Sequence, residues 1–268
     1  MKLYKICEAV RSEHPLIHAI TNPISINQCA NAILAVGGRP MMAEHPREVE
    51  KITETADALL LNLGNITDVR MESMQLSLKC ASDKNIPVVL DVVGVACSKL
   101  RKDFAFELLD ITVPTVIKGN YSEIRALYDD CYHAVGVDAD TSLTMSDMDE
   151  VCIFLAKKWN TTILASGKAD IVTDGKRIAH IYNGSEQLTT VTGTGCMLGA
   201  LCAAYVSTGI GMDAVITACV VLGISGEAAQ THKGSGSFMA GLMDFLSTLS
   251  NETMETYIRM EVNDLEKI

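Results

Sequence analysis

Short apolar runs that alternate with helical segments, each run stopping on a small or polar residue, constrain the fold of this chain more than any other feature. Asp57–Leu63 (DALLLNL) and Pro87–Asp91 (PVVLD) are apolar at almost every position, and Ile111–Ile117 reads as a third run of this kind. A strand that is apolar on consecutive residues has to be covered on both faces, whereas a half-buried strand alternates. Between them lie helical signals at Asn27–Val36, stopped by Gly37-Gly38, at Val69–Asp83 and at Tyr121–Tyr128, with Arg39–Ala43 a short extended piece. Strands joined through helices make crossover connections and therefore parallel sheet. The expectation is an α/β fold in three layers, a mostly parallel central sheet with helices on both faces.

The second half changes character. A helix over Met148–Trp159 leads into three β runs, Thr161–Ala165, Ala169–Thr173 and Arg177–Tyr182, the last two joined by Asp174-Gly175. Asp-Gly between short β runs is a hairpin signal. Gln187–Val191 reads as one more strand, and Cys196–Glu261 as almost wholly helical. No linker-like, low-complexity or repeated segment interrupts the 268 residues, and 48% of them are hydrophobic, enough for one large core. Residues 1–268 read as one domain.

Composition also excludes partners. A formal net charge of −11 sets the global field against polyanions, so neither nucleic acid nor an anionic membrane is expected. The most apolar stretches, Cys196–Val206 and Ala214–Ile224, are about half the roughly 20 residues a membrane span needs and read as buried helices. Met1–Arg11 reads as a short amphipathic helix rather than a leader. The nine cysteines form no C-x-x-C pair, which fits reduced core thiols in a cytoplasmic protein.

In an open parallel sheet, ligands bind beyond the carboxyl ends of the strands. Gly64 follows the first run, Asp91 closes the second, Lys118, Asn120 and Glu123 follow the third, and Ser166 follows Thr161–Ala165. The sharpest feature is Thr192-Gly-Thr-Gly-Cys196, directly before a long helix. Free N–H groups at a helix start favour an anion, while an isolated G-x-G also serves as a tight packing turn. There is no G-x-x-x-x-G-K-[ST], and Gly193, Gly195 and Gly199 run one residue out of step with the dinucleotide fingerprint. Asp91 and Glu123 suit a hydrated Mg²⁺, which uses one or two carboxylates beside phosphates, and they equally suit caps or solvated carboxylates. Lys118 is a phosphate contact or a surface lysine. Cys196 is a tuned thiol at a helix start or one more core cysteine. His18 reads as structural. The absence of G-x-S-x-G leaves a serine hydrolase without support.

Taken together, these segments resemble the hydroxyethylthiazole kinase family of the ribokinase-like superfamily over nearly the whole length. The resemblance rests on Ile20-Thr-Asn-Pro-Ile-Ser-Ile-Asn-Gln-Cys-Ala-Asn31, Gly37-Gly-Arg-Pro-Met-Met-Ala43, Leu60-Leu-Asn-Leu-Gly64 and Val89-Leu-Asp-Val-Val-Gly94. It continues through Ile117-Lys-Gly-Asn-Tyr-Ser-Glu-Ile124, Val191–Cys196 and Gly234-Ser-Gly-Ser-Phe238. It implies a ribokinase-like fold with no separate lid domain, and transfer of the ATP γ-phosphate to the alcohol of 4-methyl-5-(2-hydroxyethyl)thiazole in thiamine salvage. By the same resemblance Met42 and Gly193, and after them Asn22 and Gly64, are thiazole contacts; Lys118, Ser166 and Gly195 lie on the ATP side. Asp91 and Glu123 take the Mg²⁺ side, and Cys196 replaces the superfamily's catalytic aspartate. Phosphoryl transfer through a loose transition state demands positioning more than a strong base, so a thiol can serve there.

Two departures stand out. Val92 occupies a family proline position, which would loosen the loop after Asp91, and Arg39 would add a charge near the pocket. The resemblance further implies a homotrimer whose neighbouring copy closes the site. Two rivals remain: an NAD(P)H-hydrate dehydratase of the same fold, whose members typically carry aspartate at the Cys196 position, and a catalytically silent ligand-binding protein.

Overall fold

The computed structural model describes residues 3–132, 143–209 and 211–265. The start of the polar stretch Asp138–Asp149, Met1 and Lys2 of the segment Met1–Arg11, and His133 lie outside the described residues.

The chain runs α1 (Tyr4–Glu13), β1 (Leu16–Ile20), α2 (Ile26–Ala35), β2 (Arg39–Met41), α3 (Val49–Thr53), β3 (Ala58–Asn62), α4 (Asp68–Lys84) and β4 (Val88–Asp91). It continues with α5 (Lys99–Ile111), β5 (Val116–Asn120), α6 (Tyr121–Tyr128), α7 (Met145–Trp159), β6 (Thr162–Ser166), β7 (Asp170–Thr173) and β8 (Arg177–Ile181). A 3₁₀ turn at Glu186–Thr190 precedes α8 (Thr194–Val206), α9 (Gly211–Ala228), α10 (Ser235–Thr248), α11 (Asn251–Tyr257) and β9 (Met260–Asp264).

Among the described residues the nine strands form one sheet in the order β2-β1-β3-β4-β5-β6-β7-β8-β9. Pairing is parallel from β2 to β6 and antiparallel from β6 to β9. The consecutive apolar residues now have a reason. In β3, Leu60 faces the core with α1, α2, α8, α9 and α10, while Leu59 and Leu61 face the opposite core with α4, α5 and α7. Each such leucine is fully buried, contributing about 1.5–3 kcal/mol. The three-layer expectation holds. Helices α8 and α9 are buried nearly throughout, which is why their runs are apolar all round; α9 has the length and composition to cross a membrane, yet most of it lies inside the fold.

Several local expectations change. Ile111 ends helix α5, which the sequence reading did not contain; Ser98 caps that helix through the Arg101 N–H, and the third strand starts later, at Val116. Gln187–Val191 is not a strand. The Ser185 hydroxyl accepts from the Gln187 N–H, and the Thr189 and Thr190 hydroxyls donate to the Glu186 and Gln187 carbonyls, winding the segment into a turn. The helical block ends before Met260, because residues 260–264 add an exposed ninth strand beside β8. Strand β1 is a further addition, its mid-run His18 buried and bonded to Thr53 Oγ1 at 2.8 Å and to the Ala43 carbonyl at 3.0 Å.

Candidate functional site

The carboxyl ends of β1, β3, β4, β5 and β6 open beneath the start of α8. Register places Asn62 beside Asp91 and Asp91 beside Lys118, so β3, β4 and β5 contribute one polar residue each at the same level, and Asn120 sits beside Ser166 two residues further along β5 and β6. Asn62 and Asp91 are fully buried and Lys118 is nearly so. Lys118 Nζ donates to Asp91 Oδ1 at 3.0 Å, and Asn62 Nδ2 donates to Asp91 Oδ2 at 2.8 Å. Burial pushes the Asp91 carboxyl up from its ordinary range, against the pull of Lys118 and Asn62. Burial also works against the ammonium, but Asp91, Glu123 and Cys196 raise it further, so Lys118 stays protonated.

Glu123 is the third residue of α6 in a reciprocal cap. Its N–H donates to Asn120 Oδ1 at 2.9 Å while its Oε2 accepts the Asn120 N–H at 2.7 Å, the pattern that satisfies two free helix-end donors at once. Its Oε1 accepts the Gly94 N–H at 2.7 Å, tying the loop after β4 to α6. Burial, with Asp91 adding to it, pushes Glu123 up to about 7 against Lys118 and these two N–H groups. The Asn-x-x-Glu spacing is therefore structural first: it fixes the loop that follows β4.

At the start of α8, Gly193 is the N-cap with φ +90°, and a β-carbon there would stand 2.9 Å from Ser25 Cβ. Only glycine meets both demands without strain. The Thr194 hydroxyl donates to the Leu188 carbonyl at 2.8 Å and fixes the turn before the helix. A β-carbon on Gly195 would lie 3.6 Å from Lys118 Nζ, so the ammonium sits under the first helical turn. Cys196 is half-buried, and its Sγ accepts from Asn22 Nδ2 at 3.2 Å and from Asn62 Nδ2 at 3.3 Å. Asn22 Oδ1 in turn accepts the Ile24 and Ser25 N–H groups, both at 3.1 Å.

The structure thus joins Asn22, Asp91, Lys118, Glu123, Gly193, Gly195 and Cys196 around one cleft. Gly64 is part of the same frame: its N–H donates to Asn62 Oδ1 at 2.9 Å, and a β-carbon there would press on Asn22 and Asn62. Ser166 lies on its β6 rim, donating to the Gly119 carbonyl at 3.3 Å. Met42 follows β2 and is half-buried against the core; the loop after it is pinned by His18 and by Ser73 Oγ and the Arg70 guanidinium, which hold the Glu44 carbonyl and carboxylate. The residue that sequence reasoning missed is Asn62. Its signal was present, a lone amide closing the otherwise apolar ALLLN.

Two expectations about departures are corrected. Arg39 pairs with Leu16 at the amino end of β2 and its Nε donates to the His14 carbonyl at 2.7 Å, so its charge is at the far end of the strand from the cleft. Val92 does not loosen the loop. Its N–H donates to the Lys118 carbonyl at 2.8 Å, a bond proline cannot make.

The donor set sets limits on a metal. Among the described residues no group of three or more His, Cys, Asp or Glu side chains is arranged to hold an ion. Both oxygens of Glu123 are taken by N–H groups, and both of Asp91 face donors. Two carboxylates against one ammonium fit a hydrated divalent cation that arrives with phosphates and is held through water.

The sequence pattern of the hydroxyethylthiazole kinase family matches residues 7–252. The chain is 44% identical over 261 residues to hydroxyethylthiazole kinase 2 of Clostridium botulinum, covering 96% of this chain and 98% of that one. Its fold superposes on the hydroxyethylthiazole kinase protein of Pyrococcus horikoshii with a TM-score of 0.90 at 33% identity, covering 98% and 99% of the two chains. A pyridoxal kinase from Staphylococcus aureus, solved with AMP-PCP and pyridoxal, shares the fold at a TM-score of 0.66 and 16% identity, over 94% and 99%.

Proposed function

The chain belongs to the hydroxyethylthiazole kinase family, and from that premise we propose that it transfers the γ-phosphoryl group of ATP to the hydroxyl of 4-methyl-5-(2-hydroxyethyl)thiazole, the salvage step toward thiamine. The observation that carries the reading is the row Asn62, Asp91, Lys118 lying under the first turn of α8, with Cys196 at its edge.

The α8 amides at Gly195 and Cys196 receive the migrating phosphoryl group, and Lys118 offsets its negative charge. Ser166 lies on the nucleotide side. Gly193, Asn22, Gly64 and Met42 line the acceptor side. The alcohol oxygen bonds to the γ-phosphorus as the bond to the ADP oxygen breaks, and the alcohol proton passes to Cys196 Sγ in its thiolate form, giving the thiol. Asp91 and Glu123 would hold Mg²⁺, which when bound would supply further charge neutralisation at the phosphates. Because the transition state is loose, proper placement of donor and acceptor contributes more than base strength. Aspartate-bearing dehydratases of this fold are disfavoured by Cys196.

The active form is a homotrimer with each site closed by a neighbouring copy. Exposed Ile24 and Met41, at 54% and 41% accessibility before α2 and at the end of β2, support an apolar contact next to the cleft. Scattered reduced thiols fit a cytoplasmic setting.

The test is ATP consumption over a panel of hydroxyethylthiazole, hydroxymethylpyrimidine, pyridoxal and ribose. The thiazole alcohol should give the highest kcat/KM; a higher value for the pyrimidine overturns the acceptor assignment. Sedimentation equilibrium at assay concentration should give a trimer, and a fully active monomer overturns the shared site.

A further inference from the structure

Hydrogen-bond polarity inside the cleft can be read without ambiguity. An amide side chain has one accepting oxygen and one donating nitrogen, and which end points where follows from its neighbours. The Gly64 N–H can only donate, so the Asn62 atom facing it at 2.9 Å is the oxygen. The nitrogen of Asn62 then faces Asp91 Oδ2 and Cys196 Sγ. The Ile24 and Ser25 N–H groups fix Asn22 in the same way, leaving its nitrogen toward Asn62 Oδ1 and Cys196 Sγ. Three backbone N–H groups therefore dictate, through two asparagines, that the sulfur meets two donors.

We propose that Asn62 is a positioning residue for phosphoryl transfer: its amide, locked in one orientation by Gly64, points one nitrogen at both Asp91 and Cys196 and, with Asn22, obliges the sulfur to accept. All four of its hydrogen-bonding positions are used, and the residue is fully buried. With two lone pairs of the Cys196 thiolate taken by the asparagines, one lone pair is left, and in this proposal it accepts the alcohol proton. Asn62 also fixes the spacing between the phosphate-side carboxylate and the proton acceptor, since it holds both with one atom. This rests on the reading that Cys196 takes the alcohol proton.

The test is a kinetic cycle on the full-length enzyme with MgATP and the thiazole alcohol. Asn62→Ala should lower kcat about tenfold or more, with KM for ATP within about twofold. In a Cys196→Ala background the same substitution should change kcat by less than about twofold, because its target is gone. An equal loss in both backgrounds would put the effect on Asp91 and overturn the assignment, as would undiminished kcat in the single variant. Cys196→Ala alone tests the premise separately: unchanged kcat there removes the cysteine from the chemistry whatever Asn62 does. Asn62→Ser replaces the alanine variant if the latter does not fold. A measurement free of turnover is peptide-resolved iodoacetamide labelling, since alkylation needs the anionic sulfur that a lost donor disfavours. Cys196 should label at least about threefold more slowly in the variant, with exposed Cys97 unchanged as the internal standard. Equal rates at Cys196 overturn the proposal.

Discussion

Glu123 Oε1 accepts the Gly94 N–H at 2.7 Å, so a residue of α6 holds the loop that follows β4. With the other oxygen on the Asn120 N–H, the carboxylate is an acceptor at both ends. Glu123→Gln places an NH₂ against one of these donors. Relief of a buried charge offsets part of the loss, and we expect a net destabilisation of about 1–2 kcal/mol with a raised KM for ATP. A thermal melt matching wild type would show that the loop does not depend on this contact.

Cys196 is surrounded by donors, so an anion is welcome in its place. Cys196→Ala should lower kcat by about tenfold to a hundredfold while ATP binding is kept, and Cys196→Asp should remain active. Steady-state kinetics with both substrates varied separates the two effects, and an inactive aspartate variant with an intact melt would contradict the donor geometry.

Lys118 and Asp91 are each buried against the other. Lys118→Ala strands a carboxylate and should cost about 3–5 kcal/mol. Lys118→Met combined with Asp91→Asn should regain most of that stability without regaining activity. Denaturant unfolding read beside kcat distinguishes them; a double variant as unstable as the single one would mean the pair is not the source of the loss.

Gly193→Ala demands a left-handed backbone from alanine and drives its β-carbon toward Ser25. The backbone conformation alone costs about 1–2 kcal/mol. The expected result is a drop in kcat/KM for the thiazole alcohol, partly recovered by Ser25→Gly, which opens the space but leaves the backbone penalty. Full recovery would assign the whole effect to the contact.

Burial pushes Asp170 up to about 6, with the Gly167 N–H and Cys219 thiol pulling the other way. A carboxyl raised in the folded state holds its proton there while the unfolded chain releases it, so its contribution to stability is lost as pH rises from about 4 to 6. Asp170→Asn keeps an oxygen for the Gly167 N–H and removes this slope. The difference in melting temperature, variant minus wild type, should grow between pH 4 and 6 and level off above 7; a difference independent of pH would contradict it.

Part of the fold is carried by local pattern alone and is legible in the sequence. Asp57–Leu63 and Pro87–Asp91 announce buried strands because Ala58, Leu59, Leu60, Leu61 and Leu63 in the first and Val88, Val89 and Leu90 in the second are each committed to one core or the other. Tyr121–Tyr128 announces a helix because its cap is built from its own first turn. What depends on distant partners was not readable. Strand β1 carries His18 in mid-run, and the groups that satisfy it come from Ala43 and Thr53. Strand β9 is exposed and polar, and only its pairing with β8 makes it a strand. Asn62 looked like the end of a run because its partner Cys196 is 134 residues away along the chain.

Helix α8 carries the cleft at its first turn and the centre of the core along the rest of its length, with Met197 through Val206 all buried. The proposed chemistry is mounted on a rod whose remaining length is locked into the core. Inheritance is constrained by that mounting: a drift in core packing at Leu201 or Ala204 tilts the rod and reaches turnover before it reaches solubility. New acceptor preferences then have an easier route through the segments after β1 and β2, which hang from strand ends and can be recast without disturbing the axle they surround.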